Sequence, residues 1–301
     1  MKKIIEFIKK NKIGNFKENV SLKNYTTYKV GGLSKVLVYP KDTNKLILLL
    51  KKLKEEKVKY KVLGYGSNLI FSDDVFNGVI IKLDLFNKVK IKDTVIIAGC
   101  GVSLIKLSYK AQKEGLAGLE FASGIPGTIG GAVFMNAGAY KSDMGYVVSE
   151  VKVITPELKI KTLYNKDLNY KYRNSFLKQN PGYICLEAKI VLRHGDKKLI
   201  KELMETRRQK RLLSQPLEYP SAGSVFRNPD GDFAGRLIEE CDLKGYKIGG
   251  AKVSEKHANF IINEGGATAS DVKNLINYVH DKVNEETKVD LKIEQEFVNW
   301  E

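Results

Sequence analysis

Two glycine-rich loops contain the residues whose types and spacing are best suited to chemistry. The first is Gly64–Leu69 (GYGSNL), which follows the short apolar stretch YKVL. Two glycines and a Ser-Asn pair allow successive backbone N–H groups to point at one anion. The GxGxxG dinucleotide fingerprint does not fit, because Leu69 occupies the third glycine position and no helical stripe follows. This loop therefore predicts either an anion-binding nest or a simple turn.

The second loop is Gly124–Ala139 (GIPGTIGGAVFMNAGA), which contains five glycines. It exposes few side chains, so backbone can approach a flat ligand closely. A tightly packed set of turns is the alternative. A cofactor that carries a diphosphate is the better interpretation, because two such loops together offer many uncharged N–H donors. The surrounding stretch 121–140 fits neither the helical nor the strand period.

Both helices and strands must position these loops. Leucines spaced i, i+3, i+4 and i+7 from Leu46 predict a helix, which Asp42 or Thr43 can cap. A short amphipathic helix is predicted in the first segment, with Ile4, Ile5 and Ile8 as its apolar stripe and Gly14 beyond its end. Further helices are predicted over 104–114, over 197–213 and after a cap at Ser270, and strands at 35–39, 60–63, 78–83, 95–98, 147–154, 184–192 and 289–298. Helices and strands do not alternate strictly, which favours an α+β fold over a doubly wound sheet.

The chain changes character near residue 200. A single charged helix is predicted just after Gly195, and Pro216, Pro220 and Pro229 then break up a loop-rich segment. The length of 301 residues is typical of about two domains. We therefore expect one domain over 1–200, built of two α+β subdomains, and a second over 201–301.

The charge of the chain is a weak indicator of function. Lysine and arginine total 51 against 35 acidic residues, a net charge of +16, and only seven of the 51 are arginine. Lysine is a hydrated point charge, whereas recognition of bases and phosphates by a planar fork favours arginine. The lysines are also spread along the chain. This pattern favours a solvated surface that steers small anions over a nucleic-acid-binding protein.

The pattern of cysteines and the hydropathy of the chain indicate in which cellular compartment we expect the protein. The three cysteines are scattered and form no CxxC pair, which argues against a disulfide framework or a zinc ribbon and suits a reducing cytosol. The start MKKIIEFIKK is interrupted by charges too early for a signal peptide, and no apolar run approaches about 18 residues. We expect a cytoplasmic monomer with no membrane segment, no nucleic-acid partner and no metal.

A set of motifs in a fixed order spans almost the whole chain and makes the assignment more specific. In order, they are NYTTYKVGG, LGYGSNLI, GLEFASGIPGTIGGAVFMNAGAY, YKYRNSF, SAGSVFRNP, AGRLIEECDLKGYKIGGAKVSEKHANFIIN and LKIEQEF. Together they resemble the UDP-N-acetylenolpyruvoylglucosamine reductases, the MurB family of peptidoglycan synthesis. The resemblance implies an FAD-binding domain of the vanillyl-alcohol-oxidase (PCMH) type and a smaller C-terminal α+β substrate-binding domain. It also implies NADPH as the hydride source and an enolpyruvyl sugar nucleotide as the acceptor, reduced to the lactyl ether of UDP-N-acetylmuramate.

The same resemblance assigns residues to roles. Arg173, Ser224 and Glu296 are the implied catalytic residues, and Tyr172 and Asn228 are implied substrate contacts. The implied flavin contacts are Gly64, Tyr65, Gly66, Ser67, Asn68, Leu69, Gly124, Ile125, Pro126, Gly127, Thr128, Gly130, Gly131, Ala132, Asn136, Ala137, Gly138 and Ala139.

The chemistry explains why such groups are needed. Hydride addition to an enolpyruvyl double bond builds negative charge toward the carboxylate, which the fork of Arg173 can bind bidentately. Ser224 is the implied proton donor, and Glu296 would help to hold or protonate the intermediate. Glu294 lies two residues earlier on the same face of a strand and is the alternative carboxylate. Lys244 and His257 lie in matching motifs, and His194 and His280 are expected to be structural.

Two departures and two alternatives accompany this assignment. Only fifty-one positions separate Arg173 from Ser224, which indicates the shorter second type of the family without the extra tyrosine-bearing loop. Phe297-Val298 stands where many members have an arginine after the final glutamate.

A flavin oxidase of the same superfamily is the first alternative function. However, the second glycine loop has no His or Cys to tether a flavin, and Cys100 is the only nearby candidate. A basic RNA-binding protein is the second alternative.

Overall fold

The computed structural model describes residues 1–300, in which helices and strands are mixed along the chain. The helices are α1 (Lys2–Lys10), α2 (Thr43–Glu55), α3 (Leu104–Lys113), α4 (Ile129–Met135), α5 (Asn165–Leu168), α6 (Phe176–Gln179), α7 (Lys197–Ser214), α8 (Ala234–Glu240) and α9 (Ala269–Thr287), with short 3₁₀ helices at Leu22–Tyr25, Glu120–Gly124 and Met144–Tyr146.

The strands are between two and eight residues long. They are β1 (Gly14–Ser21), β2 (Leu33–Pro40), β3 (Tyr60–Leu63), β4 (Leu69–Phe71), β5 (Phe76–Lys82), β6 (Val89–Lys92), β7 (Val95–Gly99), β8 (Leu116–Ala117), β9 (Gly138–Ala139), β10 (Ser142–Asp143), β11 (Val148–Ile154), β12 (Ile160–Tyr164), β13 (Ile184–Val191), β14 (Arg193–His194), β15 (Lys247–Ile248), β16 (Ala251–Val253), β17 (Ile261–Asn263) and β18 (Glu296–Val298). The expected α+β fold class is confirmed.

Two compact units divide the chain. The first comprises Met1–Glu18, Lys35–Tyr65 and Asn77–Gln209, and the second comprises Asn19–Ser34, Gly66–Phe76 and Lys210–Glu301. The second unit thus takes two segments from the N-terminal third of the chain as well as its C-terminal third. The expected boundary near residue 200 stays a prediction.

The first unit is built on β-structure covered by helices. A five-stranded antiparallel sheet has the order β12-β11-β13-β7-β6, and a second sheet, of order β1-β2-β5-β3, pairs β3 with β5 in parallel. Its core includes Ile4 and Ile8 of α1 and the apolar stripe of α2, none more than 2% exposed. These helices lie against the sheets because burial of their apolar faces stabilises them more than their intrinsic propensity does.

The second unit has a smaller core. Strands β15, β16 and β17 form an antiparallel sheet, and β18 pairs with β4 in parallel. The α9 stripe packs into this core through Val272, Leu275, Ile276 and Val279, each at most 1% exposed. Among residues 1–300, no helix combines the length and the apolar character that crossing a membrane requires.

Most sequence-predicted elements are confirmed. The helix predicted from the leucine spacing is α2, and Asp42 caps it by accepting from the Lys45 N–H at 2.9 Å. The helix predicted in the first segment is α1, and those predicted over 104–114 and 197–213 are α3 and α7. The strands predicted at 35–39, 60–63, 147–154 and 184–192 correspond to β2, β3, β11 and β13.

Three predictions are wrong in detail. The stretch 121–140 contains α4, which has two glycines in its first turn and is too short to show an apolar stripe. Helix α9 is capped by Thr268, whereas the Ser270 hydroxyl donates to Asp73 at 2.8 Å. The strand expected over 289–298 is reduced to β18, because the preceding residues make only an isolated bridge between Phe226 and Ile293.

Candidate active site

The first glycine loop connects β3 to β4 and is held by backbone contacts. Gly66 has a φ of +65°, and a Cβ there would stand 2.2 Å from the Tyr25 carbonyl oxygen, so only glycine fits. Its own carbonyl accepts from the Thr27 N–H at 3.2 Å. At the end of the loop, the Asn68 side chain donates to the Glu294 carbonyl at 3.2 Å. The loop is therefore a fixed turn, within which Tyr65 is 41% exposed.

The second glycine loop forms α4 and the turns around it. Thr128 caps the helix by accepting from the Gly131 N–H at 3.3 Å. The N–H groups of Ile129 and Gly130 donate to the carbonyls of Val102 and Cys100, each at 2.9 Å. The first turn of α4 is therefore bonded within the protein, and the expectation that this loop supplies many N–H donors is wrong for these residues.

The backbone of this loop nevertheless fits a flat cofactor. Gly131 is exposed, and a Cβ built there would have only the Thr128 hydroxyl within 4 Å, at 3.6 Å. A Cβ at Gly64 would stand 2.8 Å from that same hydroxyl. The space beside Gly131 is therefore open, whereas the Thr128 side chain already occupies the position that a Gly64 side chain would take. This surface suits the close approach of an aromatic ring system such as the flavin of FAD.

Other predicted flavin residues continue this surface. Gly124, Ile125 and Gly127 are half-buried and Pro126 is exposed. After α4, Gly138 and Ala139 form β9, which pairs with β10, while Ala132 is buried.

Arg173 occupies a strained position in a tight turn of the first unit. The backbone groups of Lys171 and Asn174 exchange two hydrogen bonds of 3.0 Å, so Tyr172 and Arg173 form the tip between them. The φ of Arg173 is +55°, in the left-handed region that non-glycine residues rarely adopt. Such outliers persist where the surrounding structure determines them, and they cluster at functional sites.

The Arg173 turn is attached to the second glycine loop. The guanidinium of Arg173 donates to the Gly138 carbonyl at 2.9 Å. The side-chain amide of Asn136 donates to the Lys171 carbonyl at 2.9 Å and accepts from the Gly145 N–H at 2.9 Å. Asn136 is 1% exposed and in the left-handed conformation. Its side chain therefore braces the turn, and its backbone N–H donates to the Val133 carbonyl at 3.3 Å.

Ser224 lies in the second unit on a segment held from two sides. On one side the Val225 N–H donates to the Asn259 carbonyl at 3.0 Å, and on the other the Val225 carbonyl accepts from the Glu294 N–H at 2.8 Å. Val225 is itself buried, while Ser224 is half-buried. The backbone of Ser224 is therefore fixed while its side chain stays near the surface of this unit.

Gln295 adds a third restraint to the same segment. Its side-chain amide nitrogen lies within 3.2–3.4 Å of three consecutive carbonyl oxygens, those of Ala222, Gly223 and Ser224. Its amide oxygen accepts from the Tyr28 hydroxyl at 3.2 Å. Burial raises the pKa of the Tyr28 phenol, although the hydrogen bond to Gln295 opposes this shift. The phenol is therefore a neutral donor at ordinary pH.

The two candidate carboxylates lie at the end of the second unit. Glu296 pairs with Leu69 in the parallel register of β18 and β4, and its N–H donates to the Asn68 carbonyl at 3.0 Å. The Oε1 atom of Glu296 is shielded from solvent. Glu294 is half-buried, and its backbone contacts Val225 and Asn68.

Of the remaining candidates, Tyr172 and Asn228 are exposed and His257 is half-buried. Tyr172 is 51% exposed, and its ring centroid lies 5.0 Å from the Arg173 guanidinium carbon. Asn228 is exposed, and its side-chain oxygen accepts from the Ala234 N–H at 3.1 Å, at the start of α8. Burial lowers the pKa of His257, whose Nδ1 accepts from the Asn259 N–H at 3.2 Å, so the neutral ring is favoured.

Two residues that hold the Ser224 segment, Asn259 and Gln295, were not predicted from the sequence. Asn259 is 3% exposed and Gln295 is 4% exposed. The signal available in the sequence was an amide residue directly beside apolar residues, as in HANFII and IEQEF. Such a neighbourhood indicates a buried amide, and buried amides require hydrogen-bond partners. Within the part of the chain that the structure describes, no group of three or more His, Cys, Asp or Glu side chains is arranged to hold a metal ion.

Two family models match the chain. An FAD binding domain matches residues 34–164. The C-terminal domain of UDP-N-acetylenolpyruvoylglucosamine reductase matches residues 215–298. The first match covers both glycine loops, and the second covers the segment of Ser224 and the final strand.

Similarity to individual proteins extends over nearly the full length. The chain is 41% identical over 299 residues to the UDP-N-acetylenolpyruvoylglucosamine reductase of Halalkalibacterium halodurans, with 99% of each chain covered. It is 46% identical over 287 residues to that of Caldanaerobacter subterraneus subsp. tengcongensis, with 95% of each covered. The crystal structure of the enzyme from Thermus caldophilus superimposes with a TM-score of 0.81 at 35% identity, covering 92% of this chain and 97% of that one. The chain therefore belongs to the UDP-N-acetylenolpyruvoylglucosamine reductase family.

Proposed function

We propose that this protein reduces the enolpyruvyl group of UDP-N-acetylglucosamine enolpyruvate with NADPH as the hydride source and Ser224 as the proton donor. Membership of the family makes the chain an FAD-dependent oxidoreductase of peptidoglycan synthesis. The observation that carries the assignment is the full-length similarity, which includes an FAD-binding domain followed by the family's own C-terminal domain. The choice of nicotinamide and the roles of individual residues are our proposals.

FAD supplies the hydride chemistry when it is bound, and the glycine loops would hold it. We assign FAD to the backbone of the two glycine loops, with the open space beside Gly131 as one part of its site. The remaining work falls to side chains of this protein, which must bind the substrate carboxylate, stabilise the developing charge and deliver one proton.

Arg173 would bind the substrate carboxylate. Hydride addition to the methylene carbon leaves negative charge on the carbon beside the carboxylate, and a guanidinium fork interacts more strongly as that charge grows. The turn geometry supports this role, since Arg173 is attached to Gly138 in the second glycine loop. The positive charge would therefore be held in place before the substrate arrives, without a cost of reorganisation during the reaction.

Ser224 would deliver the proton to the carbon that carries the charge. In the balanced reaction NADPH contributes one hydride and the serine hydroxyl contributes one proton, which solvent then returns to the serine. A hydroxyl is a weak acid, so its position must contribute much of the effect. Hydrogen bonds that Gln295 and Glu294 donate to the surrounding backbone, and one that Asn259 accepts from it, support such a fixed position.

Glu296 is our choice for the assisting carboxylate. It stands directly before the apolar Phe297, as in the motif of the family, and its Oε1 is shielded from water. Glu294 stays the alternative. Replacement of each by glutamine separates them, because only the assisting carboxylate should be needed for the step that consumes the substrate.

Anaerobic half-reactions test the proposal. The purified protein should show flavin absorption bands that bleach with NADPH and return on addition of the enolpyruvyl sugar nucleotide. Flavin that NADPH does not reduce would favour the oxidase alternative. A protein that binds no FAD on titration would contradict the assignment as a whole, and binding of RNA with a steep salt dependence would then be examined.

The Ser224→Ala variant tests the proton donor. It should be reduced by NADPH at the wild-type rate, while its reoxidation by the enolpyruvyl substrate should slow by at least about a hundredfold, as expected for loss of a general acid. Ser221→Ala, three residues earlier in the same loop, is the matched control. Equal slowing of both half-reactions in Ser224→Ala would contradict the role.

Oligomeric state and location stay predictions. We propose a monomer that acts in the cytoplasm, where its nicotinamide reductant is available. Sedimentation at several protein concentrations tests the first part, and cell fractionation tests the second.

A further inference from the structure

A buried lysine lies directly beneath the first glycine loop. Lys82 ends strand β5 and is only 5% exposed. Removal of an ammonium group from water costs several kcal/mol unless hydrogen bonds and opposite charge replace its hydration. A lysine in this position therefore needs specific partners.

The partners of Lys82 are on the loop or beside it. Its Nζ donates a hydrogen bond to the Gly64 carbonyl and lies 3.2 Å from the Asp84 Oδ1. The same Nζ is 5.9 Å from the ring centroid of Tyr65, a distance compatible with a cation–π contact. Two of these three contacts involve consecutive residues of the glycine loop.

The register of the sheet brings the lysine to this place. Strands β3 and β5 are parallel, and Leu63 at the end of β3 pairs with Lys82. The residue that follows β3 in the chain is Gly64, so the lysine side chain can reach the first peptide of the loop. The contact thus follows from strand pairing and not from chance proximity of a flexible side chain.

The contact determines the orientation of one peptide. The peptide between Gly64 and Tyr65 is trans, as are all others among residues 1–300. In a planar trans peptide the C=O and N–H groups point in opposite directions. Because the Gly64 carbonyl is directed at the Lys82 ammonium, the N–H of Tyr65 is directed to the other side of the loop.

We propose that Lys82 is a positioning residue for FAD: it holds the Gly64–Tyr65 peptide so that the Tyr65 N–H faces the phosphate groups of the cofactor. This inference rests on the proposed function, in which the Gly64–Leu69 loop contacts the FAD. Without the lysine this peptide could rotate, because glycine imposes little restriction on its own backbone. The loop would then have to be ordered when FAD binds, which weakens binding.

Titration of the apoprotein with FAD tests the proposal without reference to turnover. The Lys82→Met variant keeps the length of the apolar stem and removes the donor, and its Kd for FAD should rise by at least about tenfold, or about 1.4 kcal/mol. Lys82→Arg keeps a charged donor and should bind FAD within about threefold of wild type. Lys92→Met, which removes an exposed lysine from β6 of the same unit, is the matched control and should leave the Kd unchanged.

The outcomes separate this inference from the proposed function. If the wild-type protein binds FAD and folded Lys82→Met binds it within about twofold, the positioning role is wrong and the proposed function stands. If the wild-type protein does not bind FAD, the proposed function itself fails. Thermal unfolding of each apoprotein shows whether it is folded. If Lys82→Met does not fold, the test depends on Lys82→Arg. A folded arginine variant that binds FAD more than about tenfold more weakly than wild type would overturn the positioning role of Lys82.

Discussion

The side-chain amide of Asn259 pairs with both backbone groups of Phe226, accepting from its N–H at 2.9 Å and donating to its carbonyl at 2.8 Å. All of these groups are buried. A neighbouring β-strand would satisfy the same donor and acceptor, so one side chain here replaces a strand. The segment that carries Ser224 is thereby anchored two residues after the serine.

Replacement of Asn259 by leucine should destabilise the protein. The Phe226 N–H and carbonyl would both stay buried without a partner, which predicts a loss of about 2 to 4 kcal/mol in the free energy of unfolding. Urea unfolding measures this change. Asn274→Leu, at an exposed position on α9, is the control and should change stability by less than about 0.5 kcal/mol. A similar stability for both variants would contradict the importance of the Asn259 pairing.

Arg173→Lys should separate the two half-reactions. Lysine keeps the charge but has no planar fork to bind a carboxylate bidentately. Reoxidation of the reduced protein by the enolpyruvyl substrate should slow by about 10² to 10³, the effect typical of a lost preorganised donor. Flavin reduction by NADPH should be unchanged. Arg208→Lys, on the exposed face of α7, serves as the control, and stopped-flow absorbance follows both steps.

His280 should make the stability of the protein depend on pH. Hydrogen bonds from its two ring nitrogens to Asp281 and Asp290, both 2.9 Å, raise the pKa of His280 above its usual 6.5. Lys292 and His280 in turn lower the pKa of Asp290, so this carboxylate stays ionised in mildly acidic solution.

The sign of the effect follows from the raised pKa. The folded state binds the proton more tightly than the unfolded state, so the contribution of His280 is complete below pH 6.5 and is lost as the pH rises through the folded value. The difference in melting temperature between wild type and His280→Gln should therefore be larger at pH 6 than at pH 9. A difference that is constant over this range, or that grows with pH, would refute the assignment.

The cysteines should be unreactive in the native protein. Cys100 and Cys185 are 3% and 8% exposed, and burial raises the pKa of both thiols, that of Cys185 to about 12. The thiolate is the reactive form, so a disulfide reagent such as dithionitrobenzoate should modify these thiols only slowly. In urea the same reagent should count all three cysteines of the chain. Rapid modification of two or more thiols under native conditions would contradict the burial.

Several features of the protein could be predicted from local sequence. The leucine spacing of α2 and its Asp42 cap depend on residues within one or two turns of each other, and both predictions are confirmed. The motif order and the two glycine loops were sufficient to predict the FAD-binding domain and the family, since these loops leave a contiguous signature in the chain. Short elements such as α4 escaped prediction, because seven residues with two glycines show no period.

The supporting contacts of the candidate site were decided by the tertiary structure. Gln295 is separated by 71 positions from Ser224 and by 267 from Tyr28, and no local pattern indicates that these residues meet. The left-handed backbone of Arg173 and the burial of Lys82 likewise depend on strands and turns that converge only in the fold. Periodicity and capping are local properties of the chain, so the sequence determined the elements and the residue types available for chemistry. Burial and hydrogen-bond partners depend on contacts between distant segments, and these only the folded structure decided.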